Sequence, residues 1–105
     1  MIDTILQAIA EPRRREILML VRAGELASGD IAAHFDVTRP AISQHLRVLR
    51  QAGLVRERRA GRRRLYRADR RALRPLEPVI RAMWRADLER LRRLAEEEPR
   101  KRRRR

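Results

Sequence analysis

The sequence predicts a mainly helical fold that carries one small β-hairpin. Four stretches with apolar residues at helical spacing precede residue 53, another follows residue 75, and two short strand-like segments lie between them. Aromatic residues make up only 3% of the chain, so its core must come mainly from Leu, Ile, Val and Ala. A chain of 105 residues fits one domain, and so small a core favours a partner subunit.

The first two helices are predicted from apolar spacing on either side of Pro12, which interrupts the pattern. The spacing is set by Ile2, Ile5, Leu6 and Ile9, and then by Ile17, Leu18, Leu20 and Val21. Gly24 is placed like a glycine that ends the second helix.

Two further helices are predicted around a tight turn. The first covers residues 28–35, where Ile31 and Phe35 share one face. After the turn, Thr38 is a good N-cap, and Pro40 falls in the first turn of the next helix, where its missing N–H costs little. That helix is predicted to end at Gly53.

A two-stranded hairpin and a long helix complete the expected order. The strands cover residues 54–59 and 64–68, with Ala60 and Gly61 as the turn signal. The fifth helix runs from about Pro75 to Ala95. We therefore expect a folded domain at residues 1–95 and a charged, disordered tail at residues 96–105, since its last six residues are all basic.

An apolar stripe on the last helix predicts a dimer formed through the terminal helices. Trp84 lies at the centre of the stripe and is typical of an interface anchor, although packing against the first helix of the same chain is the alternative. Asp87, at its edge, is placed to pair with an arginine of the partner subunit. The residues expected at the interface are Ile5, Ile9, Ile80, Trp84, Leu88 and Leu91.

The charge of the chain indicates a polyanionic partner. A formal net charge of +14 and a pI of about 11.8 favour nucleic acid, because a nearby polyanion offsets the self-repulsion. No apolar run approaches the roughly 20 residues of a membrane-spanning helix, and the N-terminus lacks a signal-peptide pattern, so a cytoplasmic location is expected. The absence of cysteine excludes disulfides, thiol redox sensing and thiolate metal sites from these residues.

The two helices around the tight turn resemble a helix-turn-helix, in which the second helix enters the major groove of DNA. Its inward stripe is Ile42, Leu46 and Leu49, and polar side chains that suit base edges and phosphates lie opposite. Alone, that polar face is more often a solvated helix exterior. The arginine-rich hairpin that follows favours DNA recognition instead, since so much clustered charge needs phosphates nearby.

The residues predicted to contact DNA lie on the second helix and on the hairpin, which would act as a wing in or across the minor groove. They are Thr38, Arg39, Pro40, Ser43, Gln44, His45, Arg47, Arg58, Arg59, Arg62, Arg63 and Arg64.

The sequence resembles the ArsR-type family of winged helix-turn-helix repressors over about residues 4–70. The segments that carry the resemblance are EPRRREILMLV, IAAHFDVTRPAISQHLRVLRQAGLV and RRAGRRRLYRA. The resemblance implies a recognition-helix role for Arg39, Ser43, Gln44 and Arg47, with His45 matched less closely. It also implies a wing role for Arg62 and its neighbours and a dimerisation role for the last helix. Many members sense metals through cysteines or through His and carboxylate pairs, which are missing here, so the resemblance is to a branch without the metal-sensing cysteines.

We therefore expect a sequence-specific transcriptional regulator, a repressor that acts as a homodimer on an inverted-repeat operator in double-stranded DNA. No Gly-rich phosphate loop, activated nucleophile or coherent acid pair indicates an enzyme, and neither a metal nor another cofactor is expected. The sequence does not indicate an effector. The alternative is an architectural or ribosome-associated protein that binds nucleic acid by charge alone.

Overall fold

The computed structural model describes the backbone of residues 2–103 and the side chains of residues 2–96. The mainly helical fold with a small hairpin is confirmed, and five of its helices exceed one turn. The helices are α1 (Ile2–Ala10), α2 (Pro12–Ala23), α3 (Ser28–Ala33), α4 (Arg39–Gln51), α5 (Arg70–Leu73) and α6 (Glu77–Arg103), with a 3-10 turn at Arg74–Leu76 before α6. The strands are β1 (Leu26–Ala27), β2 (Val55–Ala60) and β3 (Arg63–Ala68).

The hairpin belongs to a three-stranded antiparallel sheet in the order β1-β3-β2, and not to an isolated pair of strands. The additional strand, β1, pairs Leu26 with Tyr66 of β3. The turn occupies residues 61–62, one position later than predicted, and Gly61 adopts a positive φ of 64° that glycine tolerates without strain. Leu54, predicted as the first strand residue, instead lies in the core before β2 begins.

The core lies where α4 packs against α1, α2 and the sheet. The predicted inward stripe of α4 is fully buried there. Ile9 of α1 and Ile80 of α6 join it, with exposed fractions of 1% and 0%. These two residues were predicted at the dimer interface, and the structure corrects this: they are covered by their own chain and offer no surface to a partner.

A buried arginine ties α1, α2 and α6 together. Arg15 donates through Nη1 to the backbone oxygens of Ile9, at 2.7 Å, and Ala10, at 3.0 Å, which satisfies carbonyls left open at the end of α1. Its Nη2 donates to Asp87 of α6. The prediction that Asp87 pairs across the dimer is therefore wrong, because its partner lies within the same chain.

The last helix leaves an apolar stripe uncovered by its own chain. Pro75 lies in the 3-10 turn, so α6 begins at Glu77, two residues after the predicted start. Leu88, Leu91 and Leu94 are about half exposed. The backbone stays helical to Arg103, past the expected boundary at residue 96. The disorder expected for the tail stays a prediction. Residues 104–105 lie outside the part of the chain that the structure describes. None of the helices in residues 2–103 is long and apolar enough to cross a membrane.

Candidate nucleic-acid interface

The start of α4 is fixed by its N-cap, as the sequence predicts. The side-chain oxygen of Thr38 accepts a hydrogen bond from the backbone N–H of Ala41 at 3.3 Å. Pro40 lies in the first turn, where it removes no helical hydrogen bond. The cap defines where the helix begins and therefore which side chains project from its first turns.

The outward face of α4 presents the polar side chains expected of a recognition helix. Because Ile42, Leu46 and Leu49 are buried, the opposite face is turned to solvent. The exposed residues of that face include Arg39, Pro40, Ser43, Gln44 and Arg47. Amide and guanidinium groups in this position are suited to reading base edges in a major groove.

One face of the hairpin continues this polar surface. Arg59 and Arg64 are register partners on adjacent strands, so their side chains leave the same face of the sheet. Arg64 lines a hollow with Ser43 and Arg47 of α4. Like charges placed directly opposite each other destabilise a sheet, so this face favours an anion nearby.

The hairpin tip meets the start of α4 at a second hollow. Arg39, Arg62, Arg63 and Arg64 line it together with the first turn of α3. Arg63 donates to Asp30 of α3 at 3.1 Å. We call the joined surface the front groove, defined by Arg39, Ser43, Gln44, Arg47, Arg59, Arg62, Arg63 and Arg64. It is a continuous basic surface that runs from helix to hairpin.

The guanidinium of Arg39 lies over Gly29, at the start of α3. A Cβ added at Gly29 would lie 3.1 Å from Nη2 of Arg39, which is tighter than an ordinary contact. The glycine therefore leaves room for Arg39 to lie against α3.

Sequence comparison identifies the family of this protein. The family model for "Bacterial regulatory protein, arsR family" matches residues 11–57, which run from the start of α2 into β2. The HTH-type transcriptional regulator Rv2034 of Mycobacterium tuberculosis is 43% identical over 82 residues, covering 78% of this chain and 77% of the relative. The transcriptional repressor SdpR of Bacillus subtilis is 42% identical over 59 residues, covering 56% of this chain and 66% of that protein. The chain belongs to the ArsR family.

Solved structures of ArsR-type regulators share the fold. An ArsR-like transcriptional regulator from Rhodococcus sp. RHA1 superimposes with a TM-score of 0.65 at 31% identity, covering 90% of this chain and 89% of that one. The homodimeric winged helix-turn-helix domain Mb0332 from Mycobacterium bovis gives 0.70 at 30% identity, covering 78% and 76%. The ArsR-family chain is thus a winged helix-turn-helix transcriptional regulator, with α3 and α4 as the helix-turn-helix and the hairpin as the wing.

Two residues predicted to contact DNA are placed elsewhere in this ArsR-family protein. His45 is a half-buried residue on the side of α4 that faces α2. Its Nδ1 lies 3.4 Å from Nη1 of Arg14, and its Nε2 lies 3.8 Å from Oε2 of Glu11. Burial lowers the pKa of His45, and Arg14 lowers it further against the opposing effect of Glu11. The side chain therefore packs between α4 and α2, away from the front groove.

Arg58 also lies outside the front groove, because its side chain leaves the opposite face of the hairpin, and its contact with DNA stays a prediction. Its Nε and Nη2 donate to the two carboxylate oxygens of Glu25 at 2.8 and 2.7 Å. This bidentate hydrogen bond holds the pKa of Glu25 below its usual value. The alternation of side chains along β2 separates Arg58 from Arg59, although the two are adjacent in sequence.

A positioning residue that sequence reasoning missed joins the recognition helix to the wing. Glu57 of β2 accepts hydrogen bonds at Oε2 from Arg50 of α4, at 2.8 Å, and from the hydroxyl of Tyr66, at 2.9 Å. Burial raises the pKa of the Tyr66 hydroxyl, and the hydrogen bond to the Glu57 carboxylate raises it further. The hydroxyl therefore keeps its proton and donates it to this hydrogen bond. Glu57 is the single acidic residue of β2, a signal that was available in the sequence.

The remaining predicted interface residues lie on two helices. Ile5 of α1 and Trp84 of α6 are half-buried, whereas Leu88 and Leu91 are exposed. Trp84, Leu88 and Leu91 line a hollow together with Pro12 at the start of α2. Among residues whose side chains are described, no three His, Cys, Asp or Glu come together as a group that would hold a metal ion.

Proposed function

We propose that this ArsR-family protein is a homodimeric repressor that binds an inverted repeat in double-stranded DNA. The observation that carries the proposal is the front groove, in which the recognition helix and the hairpin present one basic surface. In this arrangement Gln44 and Arg47 read base edges in the major groove, while Arg62 and its neighbours contact phosphates in or across the minor groove. Occupancy of a promoter then blocks transcription.

The homodimer is supported by the exposed stripe of α6. Leu88, Leu91 and Leu94 are solvated in the single chain, and exposed leucines in a row favour burial against a second copy. The related domain Mb0332 is described as homodimeric. Two copies would place their recognition helices in successive major grooves, about 34–36 Å apart.

Repression is supported by the relatives, which include SdpR and an arsenical resistance operon repressor from Staphylococcus xylosus. The present chain has no cysteine, so it offers no thiolate to arsenite or to soft metal ions. Release from DNA by thiolate binding of arsenite is therefore not part of the proposal.

Selection of bound DNA from a random pool tests the proposal. The expected product is an enriched inverted repeat whose half-sites are separated by one helical turn, about 10 base pairs, or a multiple of it. Footprinting on an enriched fragment should protect both half-sites. Binding that persists at low salt without any enriched sequence would contradict the proposal and favour the architectural alternative, which binds by charge alone.

A further inference from the structure

A second basic surface lies on the back of the hairpin, on the face turned away from α4. A cavity of about 640 Å³ opens there between the hairpin, the end of α2 and the start of α5. Six arginines and two carboxylates line it, and the nearly buried Val21 and Ala68 lie at its floor. No residue of the front groove takes part. Its volume falls in the range of roughly 300–1,000 Å³ that is typical of small-molecule sites.

The two carboxylates hold two of the arginines in place. Glu25 binds Arg58 through both of its oxygens. Asp69 accepts from Nε of Arg56 at 3.0 Å and also from the backbone N–H of Ala72 at 3.2 Å. Side chains that are already ordered lose less conformational entropy when a ligand binds. The cavity therefore presents a partly preorganised set of guanidinium groups.

Arg22, a third arginine of the cavity, pairs with Glu77 at the start of α6, with Nε 2.5 Å from Oε1. The remaining three have no carboxylate within ion-pair distance among the described residues. Arg67 is the register partner of Arg56, so two positive side chains leave the same face of the hairpin directly opposite each other. Arg67, Arg70 and Arg71 form no ion pair or side-chain hydrogen bond with the residues whose side chains the structure describes, and all three are exposed. An anion placed between them would relieve this repulsion and accept bidentate hydrogen bonds.

We propose that the cavity behind the hairpin binds a small organic polyanion, a molecule that carries two or more phosphate or carboxylate groups on an apolar body. The guanidinium groups bind the anionic groups, and the aliphatic stems of the arginine side chains contact the body of the ligand. A concave site of this volume matches the size of a small molecule more closely than that of a second duplex. The wall formed by β2 and β3 is the back of the same hairpin that carries Arg59 and Arg64 on its front.

Calorimetric titration of the DNA-free protein tests this site, with ATP, tripolyphosphate and citrate as probes at one ionic strength. Saturable binding of at least one probe is expected, at one molecule per protomer. Tighter binding of ATP and tripolyphosphate would assign the site to phosphates, and tighter binding of citrate would assign it to carboxylates. Arg67→Gln should weaken binding about tenfold or more, because it removes a charge-assisted hydrogen bond without breaking an internal ion pair.

Two variants with the same change of charge serve as controls. Arg47→Gln alters the front groove, and Arg81→Gln alters the exposed side of α6; both should leave the affinity for the probe unchanged. An equal loss in all three variants would show general attraction to a basic protein, and the absence of saturable binding by any probe would also overturn the proposal. Circular dichroism establishes that each variant is folded. Because no DNA is present, the result is independent of the proposed repressor function.

Discussion

Replacing Asp87 with alanine should destabilise the protein much more than replacing a carboxylate of an exposed ion pair. Asp87 binds Arg15, and the exposed fractions of the two side chains are 22% and 4%. Removing one partner of a buried ion pair typically costs about 3–5 kcal/mol, since the other charge stays buried. Arg15 retains two backbone carbonyls as acceptors, and Asp87 is partly solvated, so we expect a loss near the lower limit, about 3 kcal/mol.

Asp30→Ala is the matched control, because it removes a carboxylate from an exposed pair. Asp30 and Arg63 have exposed fractions of 58% and 62%, and such pairs contribute only about 0–1 kcal/mol. Urea unfolding followed by circular dichroism measures both losses, at one protein concentration because dimerisation shifts the apparent stability. Equal, small losses for the two variants would refute the conclusion that the Arg15–Asp87 pair holds α6 against α1 and α2.

Two further variants test the apolar interface and the buried histidine. Trp84→Ala should weaken the dimer by about 2–4 kcal/mol, as expected for a large anchor, and sedimentation should show monomers; a variant that stays dimeric would place the interface elsewhere. His45→Gln should change the pH dependence of stability. Because the pKa of His45 is lowered in the folded protein, the unfolded chain binds its proton first, so the stability of the parent protein falls as the pH drops below about 6.5. The variant should lose less stability between pH 7.5 and pH 5 in urea unfolding, and an unchanged profile would contradict the buried position.

Local patterns were sufficient to predict the helix α4. Thr38 is a favourable cap, Pro40 is tolerated in the first turn, and the inward stripe of α4 follows helical spacing, so each signal lies within a few residues of the feature it predicts. The hairpin was predicted for the same reason, from its glycine and flanking strands. Its turn was misplaced by one residue because Ala60 extends β2.

Long-range pairing was not predictable from the same patterns. The strand β1 has only two residues and carries no alternation, so its pairing with β3 leaves no signal in the local sequence. The partner of Asp87 lies 72 residues away. An amphipathic stripe shows which side of a helix is buried but not which surface covers it. For that reason the sequence predicts Ile80 at the dimer interface, although its own chain buries it.

The arginines of the hairpin illustrate the same limit within one motif. Their number indicated a polyanionic partner, but composition does not assign each side chain to a face. Successive side chains of a strand point to opposite faces of the sheet. Arg59 therefore lies on the face of the hairpin turned to α4, whereas Arg58 lies on the face where it binds Glu25. The contact between Arg58 and Glu25 depends on the fold, since these two residues are 33 positions apart in the sequence.

The ratio of affinities for selected and random DNA, measured at one salt concentration, decides whether α4 reads bases. We expect Gln44→Ala to lower the affinity for the selected repeat by about 1–3 kcal/mol and to leave the affinity for random DNA unchanged. The reason is that the exposed side-chain amide of Gln44 is placed to hydrogen-bond to base edges. Arg81→Ala, on α6, should leave the ratio as it is in the parent protein. Equal losses on both DNAs for Gln44→Ala, or a parent protein that does not discriminate between them, would contradict a recognition role for α4.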